Sequence, residues 1–274
     1  EDLAKVQAIA PTLESLIVMT GTPEQPIRNV SLRGLELSTV NNAVITGGFG
    51  ASKDGAAISI RNASDILVER ITVANVGVYG VKAVNVENLG VRHSTIHHTG
   101  AGGILIEGRR SSVESTLIHD VGLLDPGGIA LWAKGEASSD LSLLDNVLHD
   151  TSYTAIAANG TDTQIERNRI TRAVNVLSDG AAVYLSNTTA AVVRHNIVSD
   201  MQDTDLTRFA YYFDEQSRNC LLEYNVSLRS PLALQTHMAQ GIVARNNLFL
   251  NSGKLLLRFL KSKESSFSQN ISVA

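Results

Sequence analysis

The sequence predicts an all-β chain: a single-stranded, right-handed parallel β-helix of about ten coils with an internal asparagine ladder. Three observations carry that expectation. An eight-residue segment recurs through the chain, its fourth position is asparagine in six consecutive copies, and a second short apolar strand accompanies each copy.

The recurring segments are VERITVAN from Val68, VRHSTIHH from Val91, VESTLIHD from Val113, LLDNVLHD from Leu143, IERNRITR from Ile165, VRHNIVSD from Val193, LEYNVSLR from Leu222, VARNNLFL from Val243 and FSQNISVA from Phe267, with LRGLELST from Leu32 as an earlier member. The steps from Val68 onward are 23, 22, 30, 22, 28, 29, 21 and 24 residues, so the basic coil is 21–24 residues. Read this way, the fourth position is Ser94 and Thr116, then Asn146, Asn168, Asn196, Asn225, Asn246 and Asn270. Asparagine suits such a register for two reasons: it tolerates the left-handed backbone of a tight turn, and stacked amides hydrogen-bond along a solenoid at the ~4.8 Å strand spacing.

The accompanying strands are YGVKAV, GGILIEG, GGIALWA, YTAIAAN, GAAVYLS, AYYFDEQ, LALQTHM and LLLRFLK, often led by Gly or Ala. No sustained 3.6-residue period follows residue 27, which excludes a doubly wound α/β fold, and the leucine spacing of a leucine-rich repeat is absent. Residues 1–16 are a lead-in or cap, with room for a short helix, and 1–274 reads as one domain. The pattern begins near Ile17 and stops in mid-repeat at Ala274. That is what a piece of a longer protein would show, or a solenoid whose end is covered by a partner, and uncovered ends invite self-association.

Composition narrows the function. A net charge of −4 and scattered basic residues give no electrostatic case for nucleic acid or an anionic membrane. No apolar run approaches the ~20 residues of a membrane span, and Glu1–Lys5 is not a signal peptide. The one cysteine, Cys220, forbids an internal disulfide and reads as a buried small hydrophobe. No dense acidic cluster suggests calcium, and no cofactor or metal is expected. His97, His119 and His149 recur in register three residues after the Ser/Thr/Asn position, as a stacked repeat position would, and Asp120, Asp150 and Asp200 follow the same logic.

From Val68 onward three steps exceed the basic coil, and their extra residues lie around Gly122–Pro126, Ala173–Gly180 and Met201–Phe209. Solenoid insertions become loops, often on the binding face, and these bring Asp125, Asp179 and Asp214, with Glu215 beside it, close to the second strands. Strand parity turns Ile129, Leu131, Val183, Leu185, Tyr211, Phe213, Leu232, Leu234, Leu255 and Leu257 inward. It turns Trp132, Lys134, Tyr184, Tyr212, Asp214, Gln235, His237, Leu256 and Arg258 outward. Aromatic rings for sugar faces beside carboxylates, an amide and an arginine for hydroxyls suit a saccharide. Trp132 reads equally as a sugar platform or as packing beneath a loop. Asp125, in Leu-Asp-Pro-Gly, is also an ordinary turn residue.

At these residues the chain resembles bacterial right-handed parallel β-helix proteins related to glycoside hydrolase family 141, which includes α-L-fucosidase and xylanase activities. The similarity runs over nearly the whole chain: APTLESLIVMTGTPEQPIRNVSLRGLELS, GVYGVKAVNVENLGVRHSTIHHTGAGGILIEG, LSDGAAVYL, AYYFDEQS, ALQTHMAQGIVARNNLFL and LLLRFLKSKESSFSQNISV. Ala181 and Gln216 depart from glycines of the family pattern. The resemblance implies a secreted or periplasmic hydrolase of a complex polysaccharide, Asp179 and Asp214 as the catalytic pair, and His237 and Arg258 as substrate contacts. Hydrolysis needs one carboxyl as proton donor and a second as nucleophile or base, and two carboxylates on adjacent coils meet that need. Glu215 is expected to support Asp214. A polysaccharide lyase using Lys134, His237 and Arg258 beside a uronate, and a non-catalytic carbohydrate-binding or structural solenoid, are the alternatives.

Overall fold

In the computed structural model, which describes residues 10–41, 48–202, 207–250 and 257–273, the chain is a right-handed parallel β-helix. Every strand pairing between coils is parallel. Two rows of strands merge into one 18-stranded sheet, because Ala56–Glu69 and Tyr79–Arg92 each run through both rows, and the third row is a separate sheet of ten strands. Among the described residues the only helical turn is the 3₁₀ turn Phe49–Ala51, and no helix is long and apolar enough to cross a membrane. The room for a helix within residues 1–16 is not used by residues 10–16; residues 1–9 lie outside the described set.

Each row sends one column of apolar side chains inward. Ile58, Val81, Ile104, Leu131, Ile156, Val183, Tyr211 and Leu234 are in register on the first row. Val68, Val91, Val113, Leu143, Ile165, Val193 and Leu222 line up on the second. Ile96, Ile118, Leu148, Ile170 and Val198 do so on the third. Stacking equal residues at strand spacing fills the interior without helices, and Cys220 is one of its buried free side chains.

The asparagine ladder is inside, and its register corrects the sequence reading at one place. Leu222 pairs with Ala244, not Val243, so the ladder runs Asn146, Asn168, Asn196, Asn225, Asn247 and Asn270. Asn246 is instead a left-handed turn residue at φ 55°, as are its equivalents Asp145, Arg167, His195, Tyr224 and Gln269. The left-handed turn thus precedes the ladder, and the ladder residue is chosen for its amide alone. Each amide oxygen accepts from the backbone N–H and the side-chain Nδ2 of the asparagine one coil back, as Asn196 does from Asn168 at 2.9 and 3.0 Å. Thr116 joins the stack by donating its N–H to Asn146 Oδ1.

Strand parity on the first row fails at its leading edge. Ala130 and Leu131, Ala182 and Val183, Ala210 and Tyr211, and Ala233 and Leu234 are neighbours that both belong to the interior. Consequently Ile129 and Leu232, expected inside, pack in apolar clusters on the outer face. Two consecutive inward residues leave space only for a small side chain at the first. At Gly80 and Gly103, members of the same column, a Cβ would stand 2.5 Å from Ile96 Cγ2 and 2.7 Å from Ile118 Cγ2.

Candidate functional site

The outer face of the first row carries the predicted residues in two columns. Trp132, Ala157, Tyr184, Tyr212, Gln235 and Arg258 are successive partners in register. Two residues further along the strands stand Lys134, Asn159, Ser186, Asp214 and His237. Leu255 and Leu256 lie outside the described residues.

Asp214 is the best-held group of the second column. Its Oδ2 accepts from the Tyr184 hydroxyl at 2.6 Å, and its Oδ1 meets His237 Nδ1 at 2.8 Å. Its backbone N–H donates to Leu185 O across the coil, which fixes the chain just where the strand Arg208–Phe213 ends. The Tyr212 hydroxyl lies between Asp214 and Gln235. The tyrosine rings meet edge to face at 5.2 Å, and Tyr212 packs on Phe209 at 4.8 Å. Burial, then the Asp214 carboxylate, raise both phenols well above the usual tyrosine range. They therefore remain proton donors at any physiological pH.

Tyr212 and Gln235 share the outward register but are nearly buried, at 4% and 2% exposure. This corrects the expectation that they present polar atoms to a substrate. Gln235 Oε1 accepts from Arg258 Nε, and the Arg258 guanidinium lies 5.1 Å from the Phe209 ring. These side chains brace one another beneath the accessible groups Asp214 and His237. Glu215 is exposed at the start of a turn, while Tyr184 and His237 hold the Asp214 carboxylate.

Asp179 reaches the same region from the other side. It sits at φ 53° immediately before the strand Gly180–Thr189, is exposed, and takes Tyr153 Oη onto its carbonyl at 2.7 Å. Burial first, then the charges of Asp179 and Asp214, push the Tyr153 phenol up to about 12. Asp179 also acts on Tyr212. Both carboxylates thus bear on the same tyrosines. Their backbones are not close: Asp179 donates its N–H to Thr207 Oγ1 on the next coil, seven positions before Asp214. Seven residues of straight strand span ~23 Å, so the two groups approach the tyrosines from opposite ends. Of the loop between them, residues 203–206 lie outside the described set.

Trp132, Lys134 and Asp125 belong to a different neighbourhood. Trp132 is 4% exposed because the segment from Gly48 to Asp54 lies across it. Phe49 packs edge-on to Trp132 at 5.5 Å and also touches Tyr153 and Tyr184 at 6.1 and 6.0 Å. Lys82 holds this segment through Ser52 O and Asp54 O. Trp132 Nε1 donates to Asn159 Oδ1. Of its two readings, packing beneath a loop is the one observed. Lys134 pairs with Glu107 at 3.1 Å. Asp125 accepts from Gly127 N–H in its own turn, and its charge bears on Asp54.

Three contributors were missed in the sequence: Tyr153, Asn159 and the covering segment at Gly48–Asp54. The last left a signal, since the step from Leu32 to Val68 is 36 residues, the longest of all. A cavity of about 590 Å³ opens elsewhere, at the corner of the first two rows, lined by Arg28, Asn62, Asn85, Glu87, Glu107 and Arg109 among others. Neither Asp179 nor Asp214 lines it, so the chemistry of the tyrosine–carboxylate face marks the candidate site better than cavity size does.

Comparison with known proteins agrees on architecture. A family profile described as "Right handed beta helix region" matches residues 24–137. A solved structure titled "Glycoside hydrolase" aligns with TM-score 0.71 and 14% identity, over 93% of this chain and 51% of that one. The GH136 lacto-N-biosidase of Eubacterium ramulus aligns with TM-score 0.60 and 12% identity, over 96% of this chain and 61% of that one. The alginate lyase of Paenibacillus sp. str. FPU-7 aligns with TM-score 0.64 and 14% identity, over 90% and 86%. The chain thus spans about half the length of the first of these. At such identities the likeness is one of fold. No curated protein matches the sequence.

Proposed function

We propose that this β-helix is a carbohydrate-active enzyme, a glycoside hydrolase acting on a complex polysaccharide, with Asp179 and Asp214 as its two carboxyls. The observation that carries the reading is Asp214, held on the outer face by the Tyr184 hydroxyl and His237 at 2.6 and 2.8 Å. A carboxylate so oriented suits a base that activates water, and the protonated tyrosines around it suit sugar hydroxyls. Asp179, exposed on its turn, is the group left to protonate the leaving oxygen. Structural likeness to glycoside hydrolases supports the reaction class, and the family 141 resemblance supports the choice of aspartates. Action outside the cytoplasm, secreted or periplasmic, belongs to the same proposal.

The test is a panel of plant and microbial polysaccharides, followed by reducing ends, ultraviolet absorbance and the anomeric NMR signal of the first product. We expect reducing ends without new absorbance, and the anomer of the first product distinguishes inversion from retention. Asp214→Asn and Asp179→Asn should each lower turnover ~10²–10⁴-fold with unchanged Tm. New absorbance from a conjugated C=C would instead support the lyase reading, to which the alginate lyase likeness and the His237 and Tyr184 groups lend weight. Rates near wild type in both variants would remove the hydrolase.

A further inference from the structure

The third row carries a cluster of a different kind on its outer face. Register places His97 beside His119 and His119 beside His149. Their rings stack at 5.0 and 4.6 Å, nearly parallel at 5° and 13°, as the sequence reading of a stacked repeat position expects. The residue after each, His98, Asp120 and Asp150, has φ of 51°, 51° and 55°. That left-handed backbone breaks strand alternation, so two consecutive side chains stand outward on every coil. His97 Nδ1 lies 2.7 Å from His98 Nδ1, and His119 Nδ1 lies 2.6 Å from Asp120 Oδ2.

We propose that His98, His119 and Asp120, with His97 as a fourth donor, bind a divalent transition-metal ion of the Zn²⁺ class. One ligand atom from each of His98, His119 and Asp120 falls within 4.8 Å of the others. Bonds of ~2.0–2.1 Å at tetrahedral angles need ligand atoms ~3.4 Å apart. Rotation of partly exposed side chains closes the difference of up to about 1.4 Å, and His98 already stands edge-on to both neighbouring rings. Imidazole with one carboxylate is a donor set suited to Zn²⁺, Cu²⁺ or Ni²⁺ rather than Ca²⁺.

What becomes of the same column on later coils is the second argument. There, each carboxylate is answered by an arginine: Asp150 by Arg172 at 2.6 and 2.7 Å, and Asp200 by Arg229 at 2.6 Å. Arg172 holds Asp150 down to about 2, so that carboxylate is already committed to a cation. Asp120 has His98 on one side of it and Asp150 on the other, and among the described residues its ion-pair partner is His119 alone. A metal ion would supply there the cation that arginine supplies later. Each imidazole binds as the neutral ring, its proton on the nitrogen turned away from the ion and the lone pair of the other nitrogen donated to the metal, so no ring loses its N–H to solvent.

Titrating the tag-free, metal-free chain with ZnCl₂ against a chromogenic chelator tests this. We expect one equivalent bound. His98→Ala and His119→Ala should each weaken binding at least ~10-fold, while His195→Ala, whose ring stacks on Tyr224 elsewhere on the surface, keeps wild-type affinity. Circular dichroism of the metal-free variants should match wild type, since the side chains are at the surface. Co²⁺ in place of Zn²⁺ should give visible absorption that His119→Ala loses. Absence of stoichiometric binding, or binding unchanged in both His98→Ala and His119→Ala, would overturn the proposal.

Discussion

Left-handed backbone at a non-glycine residue does much of the shaping in this molecule, and where glycine supplies it, the side-chain space is the reason. Gly50, at φ 64°, lets the segment over the first row descend onto Trp132: a Cβ there would stand 2.4 Å from the indole ring. Gly50→Ala should therefore cost ~1–2 kcal/mol for the left-handed conformation and ~1–3 kcal/mol for overpacking. Trp132 is the one tryptophan of the chain, so its emission reports the outcome. We expect a red shift as the segment lifts and water reaches the ring, with Tm lower by several degrees. An unchanged spectrum would mean that the segment does not depend on this contact. The same scale explains a misreading. In Asn246–Asn247 two identical residues stand side by side, and only pairing with the neighbouring coil decides which is the turn and which the ladder. Composition cannot make that choice, because asparagine suits both positions.

At the scale of the element, the ladder is a row of amides that bond one another and the backbone of neighbouring coils. Asn196 accepts two bonds from Asn168 and donates Nδ2 to Ile165 O and Asn225 Oδ1. Asn196→Ala strands the Asn168 N–H and the Ile165 carbonyl in a dry interior, at ~1–3 kcal/mol per orphaned group. Asn270→Ala removes equivalent bonds from Asn247, but Asn270 is only partly buried and water replaces them. Urea unfolding should show Asn196→Ala losing several kcal/mol and Asn270→Ala about 1 kcal/mol or less; equal losses would argue that the stack is not what the bonds stabilise. Elements were legible in the sequence to the extent that they repeat. The strand rows, the coil number and the outward run from Tyr184 to Arg258 follow from period and parity. Ile129 and Leu232 do not, because two consecutive inward residues at the corner reset the alternation. The burial of Tyr212 and Gln235 does not either, since Tyr212 is covered by Phe209 three residues earlier on its own strand and Gln235 by Arg258 on the next coil. Of the candidate site, the sequence supplies Asp214, Tyr184 and His237 as outward neighbours. It conceals the reach of Tyr153, first residue of the repeat segment YTAIAAN, to Asp179, and the Gly48–Asp54 segment, which stands outside the repeat.

Across the whole molecule, each coil touches only the coil before and the coil after, so stability is carried as a chain of neighbour contacts and not as one centre. The interior columns stay fully buried from Ile58 to Phe249, whereas Phe267, in register with the buried Ala244, is 38% exposed. In an assembly of this kind opening starts where neighbours are fewest and spreads coil by coil. Amide hydrogen exchange on the 274-residue chain should then give a graded profile: slowest in strands between Val113 and Ser199, fastest in Leu257–Val273. Asn196→Ala should speed exchange most in the coils that contain Ile165 and Leu222, which flank the lost amide, and least in Ala56–Glu69. Of the candidate site, Tyr153 and Tyr184 fall in that slow stretch, Asp179 sits on the turn before Gly180–Thr189, and Tyr212, Asp214 and His237 stand on the coils that follow it. Uniform exchange, with every coil responding equally to Asn196→Ala, would mean the stack melts as a single unit, and nearest-neighbour contacts would no longer account for where the site is rigid.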